Sequence, residues 1–182
     1  MQDLTFITGN LNKLKEVEHF LGLKLKHQKI DLTEVQSLDL AEIIEHKAKE
    51  AYQQVKSPVL VEDVSLTFTA LNGLPGPLIK WFSNTIGNDG LCKLLGGYND
   101  RSAKAEILYG YYDGKTLKTY SGSSEGSIAP RPIGEYDFGW NAVFVPSGST
   151  KTLAQMNMEE LAAVSMRQSA LAQFKQDLTT GQ

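Results

Sequence analysis

The run VLVED, residues 59–63, carries an apolar strand into two adjacent carboxylates, Glu62 and Asp63. Consecutive strand side chains point to opposite faces, so the pair divides its work instead of forming one bidentate site. Carboxylates at the C-terminal edge of a sheet are placed to hold Mg2+ and, through it, a polyphosphate; a solvated strand end is the plain alternative. Glu34, which closes IDLTE (30–34), is a candidate second oxygen ligand. TGNLNK (8–13) falls where a strand gives way to a helix, and there free N–H groups and the helix dipole favour an anion. Thr8 and Asn10 supply donors, Gly9 allows close approach, and Lys13 stands one turn in, within reach of a phosphate. The competing reading makes Asn10 a helix cap and Lys13 a solvated lysine, since the run lacks full P-loop or dinucleotide spacing.

Lys47, on an otherwise apolar helical stripe, and Lys80, in GPLIKWF (76–82), are two further cations. Each is either solvated or, with Lys13, part of the set a triphosphate needs. Arg167, in SMRQSAL (165–171), has five donors and either reads a carbonyl edge or forms a surface ion pair. DFGWNAVF (137–144) is either the lead-in to a buried strand or a ring platform with a polar reader, Asn141, beside it.

The elements that must position these groups follow from periodicity. LTFIT (4–8) predicts a buried strand, and NLNKLKEVEHFLG (10–22) a helix with Leu14, Val17 and Leu21 on one stripe, closed by Gly22. LKLKHQKI (23–30) alternates like a strand. DLAEIIEHKAKEAYQQV (39–55) predicts a helix whose stripe is Ile43, Ile44, Ala48, Ala51 and Val55. PVLVED (58–63) predicts a third strand beside the first, because strand–helix alternation favours a parallel sheet with helical crossovers. Beyond it come the turn-rich NGLPGP (72–77), short helices at LIKWF and GLCKLL, and a hairpin across AEILYGYYDGKTLKTYSG (105–122) about Asp113-Gly114. Short strands at SEGSIA and NAVFVP and a terminal helix from about Ser165 to Leu178 complete the pattern. The fold class expected is α/β, a central mixed sheet with flanking helices and an inserted smaller lobe, with a cleft between the lobes, all in one domain, 1–182.

A chain of 182 residues buries about two thirds of its unfolded surface without staples. One cysteine, Cys92, excludes an internal disulfide and a multi-cysteine zinc cluster, and isolated His19, His27 and His46 argue against a histidine-rich metal site. A formal charge of -3 spread over mixed-sign segments leaves no basic footprint for nucleic acid. No apolar stretch approaches the ~20 residues that span a bilayer, so no membrane partner is expected and the location expected is cytoplasmic.

TFITGNLNKLKEV, VLVEDVSLTFTALNGLPGPLIKWF, GSIAPRP with DFGWNAVF, and MEELAAVSMRQSAL run in order over nearly the whole chain, and together they resemble the inosine triphosphate pyrophosphatase family. That family hydrolyses ITP, dITP and XTP to the monophosphate and pyrophosphate with Mg2+, and is typically a homodimer. The resemblance implies that Thr8, Gly9, Asn10, Lys13, Lys47 and Lys80 face the triphosphate, and that Glu34 and Asp63 hold the metal. It makes Asp63 the base that activates water and Phe138 the ring that stacks on the purine. Gly139 and Trp140 share that run, Trp140 packing behind the stacking ring, and Asn141, Met166 and Arg167 lie along the base edge.

Five positions depart from the family pattern. Asn141 stands where the family has aspartate, Leu161-Ala162 where it has lysine-asparagine, Met166 where it has histidine, and Val64 where it has threonine or serine. The metal and phosphate side is kept while the base side is changed. An asparagine amide both donates and accepts, and so suits an aminopurine edge that aspartate repels; Met166 and Leu161 make room for an apolar substituent. Three activities are therefore expected to compete: ordinary ITP/dITP/XTP hydrolysis, the same chemistry with an altered base preference, and nucleotide binding without turnover.

Overall fold

The computed structural model describes residues 4–135 and 139–180. Seven strands join in one mixed sheet of order β2-β1-β3-β5-β6-β7, with β4 paired to β3. In chain order the elements are β1 (Thr5–Ile7), α1 (Leu11–Leu21), β2 (Lys26–Gln28), α2 (Leu40–Val55), β3 (Val59–Phe68) and β4 (Pro75–Gly76). There follow α3 (Ile79–Leu94), β5 (Ser102–Tyr112), β6 (Leu117–Ile128), β7 (Phe144–Pro146), α4 (Met158–Val164) and α5 (Met166–Thr180). Two compact units divide the chain: 1–63, 107–122 and 167–182 form the first, and 64–106 with 123–166 the second.

The first unit grows from its caps and stripes. Asn10 sits in extended backbone and its Oδ1 accepts from the N–H groups of Asn12 and Lys13 at 2.9 and 3.3 Å, which starts α1. Gly22, at φ 71°, ends it in a left-handed cap. Leu14, Val17 and Leu21 are buried as their spacing predicts, and α2 buries Ile43, Ile44, Ala48 and Ala51. β1 pairs in parallel with β3, Thr5 opposite Val59 and Phe6 opposite Leu60, and with β2 on its other side. The core of this sheet face joins Ile7, Ile44, Ala48, Ala51, Val59 and Val61. The expected hairpin forms between β5 and β6. Asp113 Oδ1 accepts from Lys115 and Thr116 N–H at 2.8 and 2.7 Å, and Gly114 turns at φ 95°.

That glycine has no substitute. A Cβ on it would lie 2.3 Å from Tyr52 Cζ, and its φ is hostile to L side chains. Gly114→Ala is expected to lower stability by about 2–4 kcal/mol, the sum of left-handed strain and overpacking, read as a shifted denaturant midpoint at unchanged slope.

In the second unit, Leu66, Phe68, Ile79, Leu91, Leu95 and Phe144 anchor the core. α3 is the two expected short helices run together across a break at Gly87 (φ 65°, ψ -177°). Arg101 ties this unit together by donating to the carbonyls of Ile128, Leu95, Cys92 and Ala129.

Three expectations are corrected and one helix is added. The strand expected over 23–30 shrinks to Lys26–Gln28, all exposed, because it lies at the sheet edge with no second face to bury. β3 does not stop at Asp63 but runs on to Phe68, since Ser65, Leu66 and Phe68 continue its buried pattern; the two carboxylates therefore sit inside a strand. SEGSI is the second half of β6 and not a separate strand. The terminal helix is preceded by α4 and separated from it by Ser165, whose ψ of 121° interrupts the helical backbone. No helix among the described residues is long and apolar enough to cross a membrane.

Candidate functional site

Four of the expected residues come together in the first unit. Glu62 and Asp63 point to different surroundings, as strand alternation requires, and each meets its own lysine. Lys13 Nζ, from the first turn of α1, lies 2.5 Å from Glu62 Oε1. Lys47 Nζ, from α2, lies 2.6 Å from Asp63 Oδ2 and 3.5 Å from the Glu62 carbonyl. The Asp63–Lys47 pair is about one-fifth exposed on each side, whereas the Glu62 side chain is only 3% exposed. At the N-terminus of α1, Thr8 Oγ1 accepts from Asn10 N–H at 3.0 Å, which shapes the turn that carries Gly9. A Cβ on Gly9 would press on the Lys29 stem at 3.0 Å. Asn10 is thus a helix cap, and a cap leaves the anion-favouring end of the helix in place.

Arg167 departs from the surface ion pair weighed for it. It is neither a surface ion pair nor presented to solvent; it is 5% exposed, at the start of α5, inside a buried polar cluster. One of its Nη1 donors goes to Glu62 Oε2, Nη1 also reaches Tyr109 Oη at 3.1 Å, and Nε lies 3.2 Å from Glu16 Oε2. Burial pushes the Glu62 carboxyl up, but Arg167 and Lys13 outweigh it and bring the group down to about 2. Burial raises Glu16 above the ordinary carboxylate range, with Arg167 opposing. Burial and the Glu62 charge raise Tyr109 well above an ordinary phenol. At neutral pH the cluster is therefore an ionised carboxylate shared by two cations, with a neutral phenol at its side.

Glu16 and Tyr109 escaped the sequence reading, although signals existed. Glu16 is one turn past Lys13 on α1. Along β5 the buried positions are Ala103, Ala105, Ile107 and Tyr109, so a phenol falls on an apolar face, where its hydroxyl needs a partner.

Glu34 is exposed in the irregular stretch before α2. Its neighbour Thr33 is held there by Glu50, which accepts from Thr33 N–H at 2.9 Å and from its hydroxyl at 3.2 Å. Among the described residues no group of three or more His, Cys, Asp or Glu could cage a metal. The partly exposed Asp63 and exposed Glu34 nonetheless offer the hard oxygen donors that suit Mg2+, which binds through one or two carboxylates plus substrate phosphates and needs no all-protein cage.

The remaining candidates lie in the second unit. Lys80 is exposed, 6.0 Å from the centre of the Trp81 ring. Val64 and Met166 are partly buried against the core, and Leu161 is half-buried in α4. Trp140 packs edge-on against Phe144 with ring centres 5.8 Å apart, so it is a core ring. Gly139 turns at φ 49°, and its carbonyl accepts from Asn88 Nδ2 at 3.0 Å, a contact with no sequence signal. Asn141 is half-buried and its carbonyl accepts from Ala154 N–H at 3.1 Å. Phe138 lies outside the described residues.

A family model described as the Ham1 family matches residues 4–177. The inosine triphosphate pyrophosphatase of Yarrowia lipolytica is 45% identical, covering 94% of this chain and 93% of the relative. That of Schizosaccharomyces pombe is 40% identical, covering 92% and 90%. Among solved structures, a HAM1 protein from Coxiella burnetii matches with a TM-score of 0.85 at 26% identity, covering 97% of this chain and 98% of that one.

Proposed function

Because the chain belongs to the Ham1 family, we propose that it is a Mg2+-dependent nucleoside triphosphate pyrophosphatase that hydrolyses non-standard purine triphosphates of the ITP, dITP and XTP type. The observation that carries this reading is the pair of lysine–carboxylate contacts on consecutive β3 residues, Lys13 to Glu62 and Lys47 to Asp63, next to the capped N-terminus of α1. The names of the relatives, inosine triphosphate pyrophosphatases, support the same substrate class.

In this mechanism the backbone around Thr8, Gly9 and Asn10, with Lys13 and Lys47, binds the phosphates. Asp63 accepts a proton from water as its oxygen bonds to the α-phosphorus. The bond from that phosphorus to the bridging oxygen breaks, and pyrophosphate leaves with the charge the lysines stabilise. Glu34 and Asp63 would hold Mg2+, which when bound neutralises phosphate charge and polarises the phosphoryl oxygens. No covalent nucleophile enters. The reading also carries a homodimer and a cytoplasmic location; light scattering at twice the chain mass checks the first.

A second reading, the same chemistry with an altered base preference, is favoured by Asn141, Leu161 and Met166, which replace the family's aspartate, lysine and histidine and lie in the same unit. A panel of purine triphosphates separates the two. The first reading predicts that kcat/KM for ITP and XTP exceeds that for ATP, GTP and aminopurine triphosphates by about 10²-fold or more. A preference for an aminopurine triphosphate, moved back toward ITP by Asn141→Asp, Leu161→Lys and Met166→His together, replaces it with the second.

A further inference from the structure

Tyr109 takes no part in the chemistry above, but its hydroxyl lies against Arg167, which shares Glu62 with the phosphate-side Lys13. Its side chain is fully buried, at 0% exposure, beside Arg167 at 5% and Glu62 at 7%. A buried phenol hydroxyl needs partners, and both of these are charged. It accepts from Arg167 Nη1 at 3.1 Å. Glu62 is in turn shared by two cations, Lys13 ion-paired with Oε1 and Arg167 donating to Oε2, so the guanidinium is held between the phenol oxygen and the carboxylate.

Of the two cations, Lys13 is the one with access to solvent, its side chain 24% exposed against 6% for Arg167. Removing the hydroxyl takes from Arg167 Nη1 one of its acceptors, buried where water cannot replace it, and loosens the guanidinium that orients the Glu62 carboxylate. A carboxylate that follows the shifted guanidinium turns Oε1 away from the lysine.

We propose that Tyr109 is a positioning residue for Lys13: by sharing Arg167 with Glu62, it keeps Glu62 Oε1 facing the lysine and so fixes the ammonium at the N-terminus of α1, where phosphate binds. This rests on the phosphate-binding part of the proposed function and on neither its base preference nor its turnover.

Calorimetric titration with inorganic tripolyphosphate, which has no base, tests it. Tyr109→Phe keeps the ring and is expected to weaken binding about tenfold, the size of one lost hydrogen bond to a charged group. In a Lys13→Gln background the same change is expected to alter binding by less than about twofold, because the group being positioned is gone. Arg167→Lys keeps the charge but loses the shared donor, and is expected to show the same dependence on Lys13; it serves if Tyr109→Phe does not fold. Unchanged binding in the single variant, the full tenfold loss in the Lys13→Gln background, or a wild type that does not bind tripolyphosphate overturns the inference. A wild type that shows the Lys13-dependent loss yet releases no pyrophosphate from any nucleoside triphosphate supports the inference and overturns the proposed function.

Discussion

Asp63→Asn is expected to lower kcat for pyrophosphate release by about 10³-fold or more while the chain stays folded. The asparagine keeps an oxygen that Lys47 Nζ, now 2.6 Å from Asp63 Oδ2, can still donate to, so the local geometry has no reason to change. What is lost is the negative charge, and with it both the proton acceptor and the metal-holding oxygen of the proposed mechanism. The stability cost is small, because a pair about one-fifth exposed on both sides is partly screened by solvent. Activity and stability therefore separate at this residue. Steady-state pyrophosphate release beside a thermal melt reads both, and a variant within tenfold of wild-type kcat removes Asp63 from the chemistry.

Its neighbour is expected to behave in the opposite sense. Glu62→Ala leaves Arg167 and Lys13 without the carboxylate that both share, and breaking a buried ion pair by deleting one partner costs about 3–5 kcal/mol. For a chain of this size that corresponds to a melting temperature lower by about 10 °C. The pH dependence has a fixed sign. Glu62 is held down at about 2 in the folded chain against an ordinary 4.5, so its contribution is fully present above pH 4.5 and is lost as pH falls through about 2. Integrated over that window the loss is about 3 kcal/mol. Glu16, raised by burial, acts in the other direction and at higher pH, where its contribution fades as pH rises past its folded value. Denaturant midpoints of wild type and Glu62→Gln between pH 6 and pH 3 should therefore converge as pH falls. If the gap between them stays constant, Glu62 is not the ionised hub of the cluster.

The contrast between these two adjacent residues also marks how far the sequence could be read. Local rules sufficed for α1 and α2, because caps at Asn10 and Asp39 and apolar stripes such as Leu14, Val17 and Leu21 are written within one element. They sufficed as well for the β1–β3 parallel pairing and for the Asp113-Gly114 turn. They failed where a strong signal was taken as punctuation: two carboxylates read as a strand end, yet β3 continues through them to Phe68. A charge inside a strand is tolerated only when its partners arrive from elsewhere. For Glu62 those partners are Lys13 on α1 and Arg167 on α5, 49 and 105 positions away. No window along the chain contains them together. The same distance explains why Arg167, whose five donors suggested a reader of ligand or a surface pair, is instead enclosed by Glu62, Tyr109 and Glu16.

The side chains proposed to bind phosphate stood out in the sequence for a related reason. Strand, turn, capped helix and lysine form one contiguous signal in TGNLNK, and a second lysine follows the periodicity of α2. The positions proposed to face the base, Asn141, Leu161 and Met166, stood out only as departures from the family pattern, in a unit where contacts such as Asn88 to Gly139 come from residues with no motif of their own.

The most direct test of the central claim is the identity of the products formed from ITP. Phosphorus NMR of the purified chain with ITP and Mg2+ is predicted to show inosine monophosphate and pyrophosphate in equal amounts, abolished by a chelator and nearly abolished in Asp63→Asn. Orthophosphate with inosine diphosphate, or ITP bound and left intact over a range of Mg2+ and pH, contradicts it.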